Sequence, residues 1–227
     1  PYAHYPGAFY DIISVTAFAP DYLPTYYTNY GPGCNVVAPG GEAYHTTTSL
    51  KSMVLSTVPS ELAERGWGTG MAASSTGHDY GYMQGTSMAC PHVSGITALA
   101  LSYAKKLGKH FSRDKFKEMI ITSANDLDSR LSGTKTYAYG QSPLNLSQFY
   151  HQLGTGSLDT WILMMQVEGI PCLIAETGRN QWLDISPYFG TSSTSLTYLE
   201  LEVSDEDAAA LGLKQDPYIQ YGRLYVY

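Results

Sequence analysis

Ser87 is the side chain in this sequence best placed to act as a nucleophile, within Gly85-Thr86-Ser87-Met88-Ala89-Cys90-Pro91-His92-Val93-Ser94-Gly95. Gly85 lets the backbone bend sharply, Thr86 and Ser87 are residue types that cap a helix, and the small and apolar run from Met88 to Tyr103 continues it. A serine in a helix's first turn sits beside unbonded N–H groups and the positive end of the helix dipole. Both favour the negative charge that develops on a carbonyl oxygen during acyl transfer. The implied chemistry is attack by the Ser87 hydroxyl on an acyl carbon, with backbone N–H groups forming part of the oxyanion hole. Pro91 lies too deep to be a first-position helix proline, and it removes the N–H that would bond the Ser87 carbonyl. A purely structural helix gains nothing from that. The plainer alternative is a capped core helix with an incidental hydroxyl, which Gly-Thr-Ser by itself would favour.

Other groups compete for the role. The three cysteines, Cys34, Cys90 and Cys172, have neither close pairing nor metal-ligand spacing, and they read as small apolar fillers. Cys90 shares nearly one helical face with Ser87 and is the rival nucleophile, but acyl transfer needs no second one beside the first. His92 lies five positions past Ser87, roughly 500° around the helix, and so points away as a buried, hydrogen-bonded structural histidine. His78 and Asp79 are adjacent, and on a strand their side chains would diverge, so they do not assemble a triad.

The stretch from Gly85 to Gly95 resembles the serine-bearing signature of the subtilisin-like (subtilase) serine peptidases, G-T-S-M-A-x-P-H-V-x-G. Tyr5-Pro6-Gly7, Ile12-Ile13-Ser14-Val15-Thr16-Ala17, Asn29-Tyr30-Gly31-Pro32-Gly33, Val36-Val37-Ala38-Pro39-Gly40 and Gly154-Thr155-Gly156-Ser157-Leu158-Asp159 extend the likeness. The resemblance implies a serine endopeptidase that cleaves polypeptide substrates through an acyl-enzyme on Ser87. It implies that His4, Tyr5 and Gly7 line the pocket for the residue before the scissile bond, that Gln84 contacts substrate, and that the Tyr5–Pro6 bond is cis. No cofactor is expected. Many subtilases carry an aspartate where Asn35 stands, so no metal site is expected either.

In this family the triad runs Asp, His, Ser, and the first two precede anything like Tyr5-Pro6, as does the asparagine that donates to the oxyanion. None of His4, His45, His78, His92, His110 and His151 stands in the family's His-Gly-Thr-His context. The sequence opens at Pro1 without a methionine and reads as an interior piece. The expectation is therefore a parent enzyme whose N-terminal half supplies Asp and His and is this chain's partner, with the chain alone inactive, because an unassisted serine hydroxyl is a poor nucleophile. The resemblance places that parent outside the bacterial cytoplasm: secreted, periplasmic or on the cell surface. Two alternatives stand beside it, a non-catalytic subtilase-like scaffold and a β module that binds glycans or surfaces through Tyr and Trp.

The elements that must position Ser87 are those of an α/β fold. The expected architecture is part of a subtilisin-like, parallel-sheet, three-layer domain over residues 1–168, then a small all-β, immunoglobulin-like module over 169–227, incomplete at its end. Ile12–Val15 and Asn35–Ala38 read as parallel strands apolar on both faces, with an open edge that recruits the missing half. Segments 52–59 and 80–84 read as antiparallel arms around a long polar loop, 60–79. The Ser87 helix runs to Lys106, apolar nearly all round and so expected inside the domain. Ser112 caps a surface helix with Phe116, Met119 and Ile120 on one face. Residues 129–153 read as a polar, tyrosine-rich loop and Leu158–Val167 as the closing helix. Strands at 172–176, 181–185, 196–203 and 218–227, around a short helix at Asp205–Leu211, make up the module. A net charge of -7 without a basic stripe argues against nucleic acid, and no run of about eighteen apolar residues offers a membrane span.

Overall fold

Two runs of small and β-branched residues pair at the centre of the first unit: β1 (Val15–Phe18) and β2 (Val36–Pro39) lie parallel, Val15 opposite Val36 and Ala17 opposite Ala38. The computed structural model describes residues 5–43, 52–59, 80–137, 143–170, 172, 181–185 and 201–227. These belong to two compact units, Pro1–Ser102 with Phe111–Asp159, and Tyr103–His110 with Thr160–Tyr227. His4, the 60–79 loop and most of the 172–176 and 196–203 segments lie outside the described residues.

The first strand starts at Val15, three residues later than Ile12, and the reason is a side-chain cap. Asn35 Oδ1 accepts the Ser14 N–H at 2.8 Å, while Ser14 O accepts from the N–H groups of both Asn35 and Val36. Ile12 instead closes a turn onto Phe9 O and is exposed. The outer edge of β1 is not open as expected. Ala17 N–H donates to Thr28 Oγ1 at 3.0 Å, Ala17 O accepts from Thr25 N–H at 3.2 Å, and Ala19 N–H donates to Leu23 O at 3.0 Å. Segment 23–28 thus occupies the edge that a recruited strand would need.

The sheet is completed from far along the chain. β3 (Val54–Thr57) and β4 (Tyr80–Met83) pair antiparallel by themselves, Val54 opposite Met83. β5 (Ala124–Asn125) and the later β8 (Ser157–Leu158) extend the central sheet in the order β1-β2-β8-β5, with β8 parallel to β2 and antiparallel to β5. Gly156 permits this close approach: its φ is 130°, and a Cβ there would stand 2.1 Å from Asn125 O.

Between them, β6 (Thr134–Lys135) and β7 (Leu144–Asn145) form a short ladder. The 129–153 stretch is a core builder and not the polar loop expected of it. Leu131, Leu146, Phe149 and Leu153 join Phe18, Val37 and Leu127 in one buried cluster, carried on 3-10 turns at Asp128–Arg130 and Leu146–Phe149. Irregular backbone shows no apolar period, which is why the sequence reads as loop.

Helix α1 (Thr86–Lys106) carries the signature serine, and α2 (Arg113–Thr122) follows. Ser112 caps α2 by accepting the Lys115 N–H at 3.2 Å, and Phe116, Met119 and Ile120 are its buried face, as expected. α1 departs from expectation. Ala89, Val93, Ala100 and Ala104 are buried, but Pro91, Ser94, Gly95, Ala98, Leu99 and Leu101 are exposed, Leu99 by 54%. Among the described residues no helix is long and apolar enough to cross a membrane.

In the second unit α3 (Thr160–Glu168) begins two residues after the expected Leu158, because Ser157–Leu158 is taken up by the sheet. Lys109 Nζ caps its C-terminal end, donating to Val167 O at 2.9 Å and Glu168 O at 2.6 Å. β9 (Gln181–Asp184), β10 (Tyr218–Gln220) and β11 (Arg223–Val226) form an antiparallel sheet in the order β10-β11-β9. The expected 218–227 strand is thus a hairpin turning at Tyr221-Gly222, both at positive φ. α4 (Asp205–Leu211) has Ser204 as its N-cap and Gly212, at φ 66°, as its C-cap. The second sheet of an immunoglobulin-like sandwich is not seen among the described residues.

Candidate active site

Ser87 is the second residue of α1 and its side chain is exposed. Gly85, at φ 147°, turns the chain so that its carbonyl accepts from Met88 N–H at 2.9 Å and Ala89 N–H at 3.3 Å. Those bonds leave the Ser87 N–H at the helix tip with no hydrogen-bond partner among the described residues. Four residues on, Pro91 has no N–H for the Ser87 carbonyl. The tip therefore offers a hydroxyl and an unbonded donor side by side, at the positive end of a 21-residue helix.

Gly85 is held by the turn after β2. Its N–H is shared between Gly40 O and the Tyr27 phenol oxygen, each at 3.0 Å, and Tyr27 Oη itself donates to Gly41 O. Gln84 is gripped at both ends: Oε1 accepts the Ala43 N–H, and Nε2 donates to Tyr26 Oη at 3.0 Å. Gly40 must be glycine for the turn to sit this close, since a Cβ would stand 2.5 Å from Ala17 Cβ and 2.7 Å from Tyr27 Oη. Behind the turn, Glu42 is wholly buried, and Lys135 Nζ lies 2.8 Å from its Oε2 and 3.2 Å from Asp21 Oδ2. None of Gly40, Tyr26, Tyr27, Glu42 or Lys135 was singled out as a site residue by the sequence reading. The available signal was a glycine pair ending a strand, a tyrosine doublet, and two isolated charges.

The remaining expected residues are dispersed. Tyr5 is 67% exposed with its ring 4.9 Å from that of Phe9, Gly7 is half-buried, and the Tyr5–Pro6 bond is cis. Among the described residues no hydrogen bond or ring contact links Tyr5 or Gly7 to Gln84–Ser87. His92 Nδ1 lies 2.8 Å from Met88 O, and because a carbonyl only accepts, that nitrogen carries the proton. It is hydrogen-bonded as expected, but half-buried and not buried. His151 pairs with Asp128 at 2.6 Å, and no described histidine is hydrogen-bonded to Ser87. Cys90 is exposed on α1, and the Cys34 thiol is pushed up by burial. Among the described residues no group of three or more His, Cys, Asp or Glu side chains could hold a metal ion.

Tyr27 supplies a pH test of this turn. Burial pushes its phenol from 10.0 up to about 12, so the folded chain keeps it as a donor where an unfolded one would ionise. Stability is fully retained below the unfolded value near 10 and declines as pH rises from there through 12. Near-ultraviolet absorbance should show the Tyr27 phenolate appearing late in the alkaline titration, ahead of Tyr137, whose phenol burial pushes up further still. Tyr27→Phe should remove that step and flatten the loss of stability over the same window, and an unchanged titration would contradict this assignment.

Known proteins resemble the chain in the same region. An extracellular basic protease of Dichelobacter nodosus is 30% identical over 127 residues, 56% of this chain and 18% of that protein. Pyrolysin of Pyrococcus furiosus is 45% identical over 125 residues, 55% of this chain and 8% of that protein. A solved lanthipeptide protease superposes with a TM-score of 0.49 at 22% identity, covering 72% of this chain and 44% of that one. The chain thus spans less than a fifth of the length of either sequence relative. The profile of the Subtilase family matches residues 2–142, more than half of the sequence and the whole of the Gly40–Ser87 arrangement, and the chain belongs to that family.

Proposed function

We propose that the parent protein is a serine endopeptidase in which Ser87 Oγ attacks the scissile carbonyl of a polypeptide and forms an acyl-enzyme. The observation that carries this reading is the helix tip, where an exposed serine hydroxyl and an unbonded N–H adjoin in a member of the Subtilase family. In the reaction a histidine takes the Ser87 proton, the tetrahedral oxyanion is met by the Ser87 N–H and one further donor, and the histidine returns the proton to the leaving amine. The histidine, its aspartate and the second oxyanion donor come from an N-terminal half of the same peptidase. The exposed face of α1, from Pro91 through Leu101, supports a docked partner of that kind, since apolar helix surface of this extent is ordinarily covered.

His4, Tyr5, Gly7 and Gln84 are assigned to substrate contact. In Gln84 that contact would run through the backbone, because its amide is spent on Ala43 and Tyr26. Residues 1–168 form the peptidase portion and 169–227 a separate module of immunoglobulin-like kind, for which the antiparallel β10-β11-β9 sheet is the support. The relative named as extracellular favours export to the outside of the cell.

A fluorophosphonate probe tests the reading, because it labels serine only where base and oxyanion donors are assembled. Mass mapping should find the probe on Ser87 in the full-length parent and on no residue of the 227-residue chain by itself. Labelling of the chain alone would show that it needs no partner, and an unlabelled parent would favour a non-catalytic scaffold.

A further inference from the structure

Glu42 is a fully buried acid with a strongly directed set of contacts. Its Oε1 accepts the Tyr26 N–H at 2.7 Å, its backbone N–H donates to Ser52 O at 3.0 Å, and its carbonyl accepts from Ser52 Oγ at 2.7 Å. Oε2 receives no aligned hydrogen bond and is balanced instead by the Lys135 ammonium at 2.8 Å. Lys135 is itself buried, and it donates to Pro24 O at 3.0 Å besides reaching Asp21. A buried ion pair is weak support for stability as such, since apolar residues of similar volume often serve as well. The pattern around this pair suggests another use.

The carboxylate joins two pieces of backbone that both grip the residues preceding Ser87. On one side is the turn Gly40–Ala43, which accepts the Gly85 N–H through Gly40 O and donates the Ala43 N–H to Gln84. On the other is Tyr26-Tyr27, whose two phenols bond Gln84 Nε2 and Gly85 N–H. The Glu42 side chain, through the Tyr26 N–H, ties the main chain of the second piece to the first, beside the bond from the Tyr27 phenol to Gly41 O.

We infer that Glu42, charge-balanced by Lys135, is a positioning residue for the nucleophile: it locks the Gly40–Ala43 turn to Tyr26-Tyr27 so that Gln84-Gly85 presents Ser87 at the helix tip in one place. The inference rests on the reading of Ser87 as nucleophile. Glu42 touches no reacting atom and acts through Gln84 and Gly85. A displacement near 1 Å at a reacting group costs about a hundredfold in rate, so loosening this lock should appear in kcat and leave KM nearly unchanged.

Two variants of the full-length parent test it. Glu42→Leu with Lys135→Met removes the two charges of the pair, leaves Asp21 its bond from the Leu23 N–H, and leaves the Tyr26 N–H without its Glu42 acceptor. Glu42→Asp keeps the charge for Lys135 while its carboxylate, one methylene shorter, falls away from Tyr26. In each, the melting temperature should stay near that of the unsubstituted protein. Labelling of Ser87 by a fluorophosphonate and kcat should both fall about tenfold to a hundredfold, with KM unchanged and faster amide exchange at Gly85. If either variant is folded and labels at the unsubstituted rate with Gly85 equally protected, the inference is overturned. Should the unsubstituted parent not be labelled at Ser87, it is the peptidase reading that fails, and Gly85 exchange in the same variants still decides whether Glu42 positions the turn.

Discussion

Ser87→Ala in the full-length parent should lower kcat on the order of 10⁶-fold while leaving the melting temperature within about 2 °C, a catalytic magnitude taken from subtilisin, itself a member of this family. The asymmetry follows from where the residue sits. Its side chain is exposed and makes no hydrogen bond among the described residues, so removing one oxygen costs the fold little. On the proposed mechanism it carries the atom through which the acyl-enzyme forms, and the donors around the helix tip cannot substitute for a missing nucleophile. Cys90→Ala is the necessary companion. Cys90 lies one turn further along α1 and is also exposed, so a thiol-based reaction would lose its nucleophile there. The expected result is kcat within about twofold of the unsubstituted enzyme, as for an ordinary surface position. A large loss in Cys90→Ala together with residual turnover in Ser87→Ala would move the nucleophile to sulfur.

The parts of this arrangement that could be read from the sequence are those in which local chemistry decides local structure. Ser112 announces α2 because a hydroxyl ahead of a periodic apolar face has few other uses, and Gly85-Thr86-Ser87 announces α1 for a related reason. What escaped was decided by distant chain. Ile12-Ile13 is as β-branched as any strand, but Asn35, 21 positions beyond Ser14, caps the strand later with its own amide. Thr25 and Thr28 carry no signal of edge protection until the chain folds back and both hydroxyls and the Thr25 amide meet Ala17. The expected burial of α1 depended on composition, which records that a face is apolar without saying which polypeptide covers it. Glu42 and Lys135 are 93 positions apart in sequence, so neither alone distinguishes a buried partner from a solvated charge.

Gly40→Ala should uncouple catalysis from stability in the opposite sense to a simple cavity or cap mutation. Gly40 is not at positive φ, so alanine meets no backbone strain there, and the whole effect is steric. The added methyl would stand 2.5 Å from Ala17 Cβ, 2.7 Å from Tyr27 Oη and 3.0 Å from Gly85 O. Ala17 belongs to the β1–β2 ladder and is fully buried, so it yields least. The tyrosine oxygen and Gly85 must move instead, and they are the two groups that hold the start of α1. Overpacking of this kind costs about 1–3 kcal/mol, or roughly 2–4 °C in melting temperature per kcal/mol for a domain of this size. That leaves most molecules folded at ordinary temperatures. Displacing Gly85 by a fraction of an ångström to 1 Å carries Ser87 with it, and kcat of the parent should fall about a hundredfold per folded molecule. Gly33→Ala is the matched control, with its nearest contact at 4.0 Å from Ala8 Cβ and no positive φ, and it should leave both quantities unchanged. Active-site titration beside a thermal melt separates the two effects. If Gly40→Ala keeps full kcat per folded molecule, the turn after β2 does not hold Ser87 in place, and the clamp formed by Gly40, Tyr27 and Gly85 is scaffolding alone.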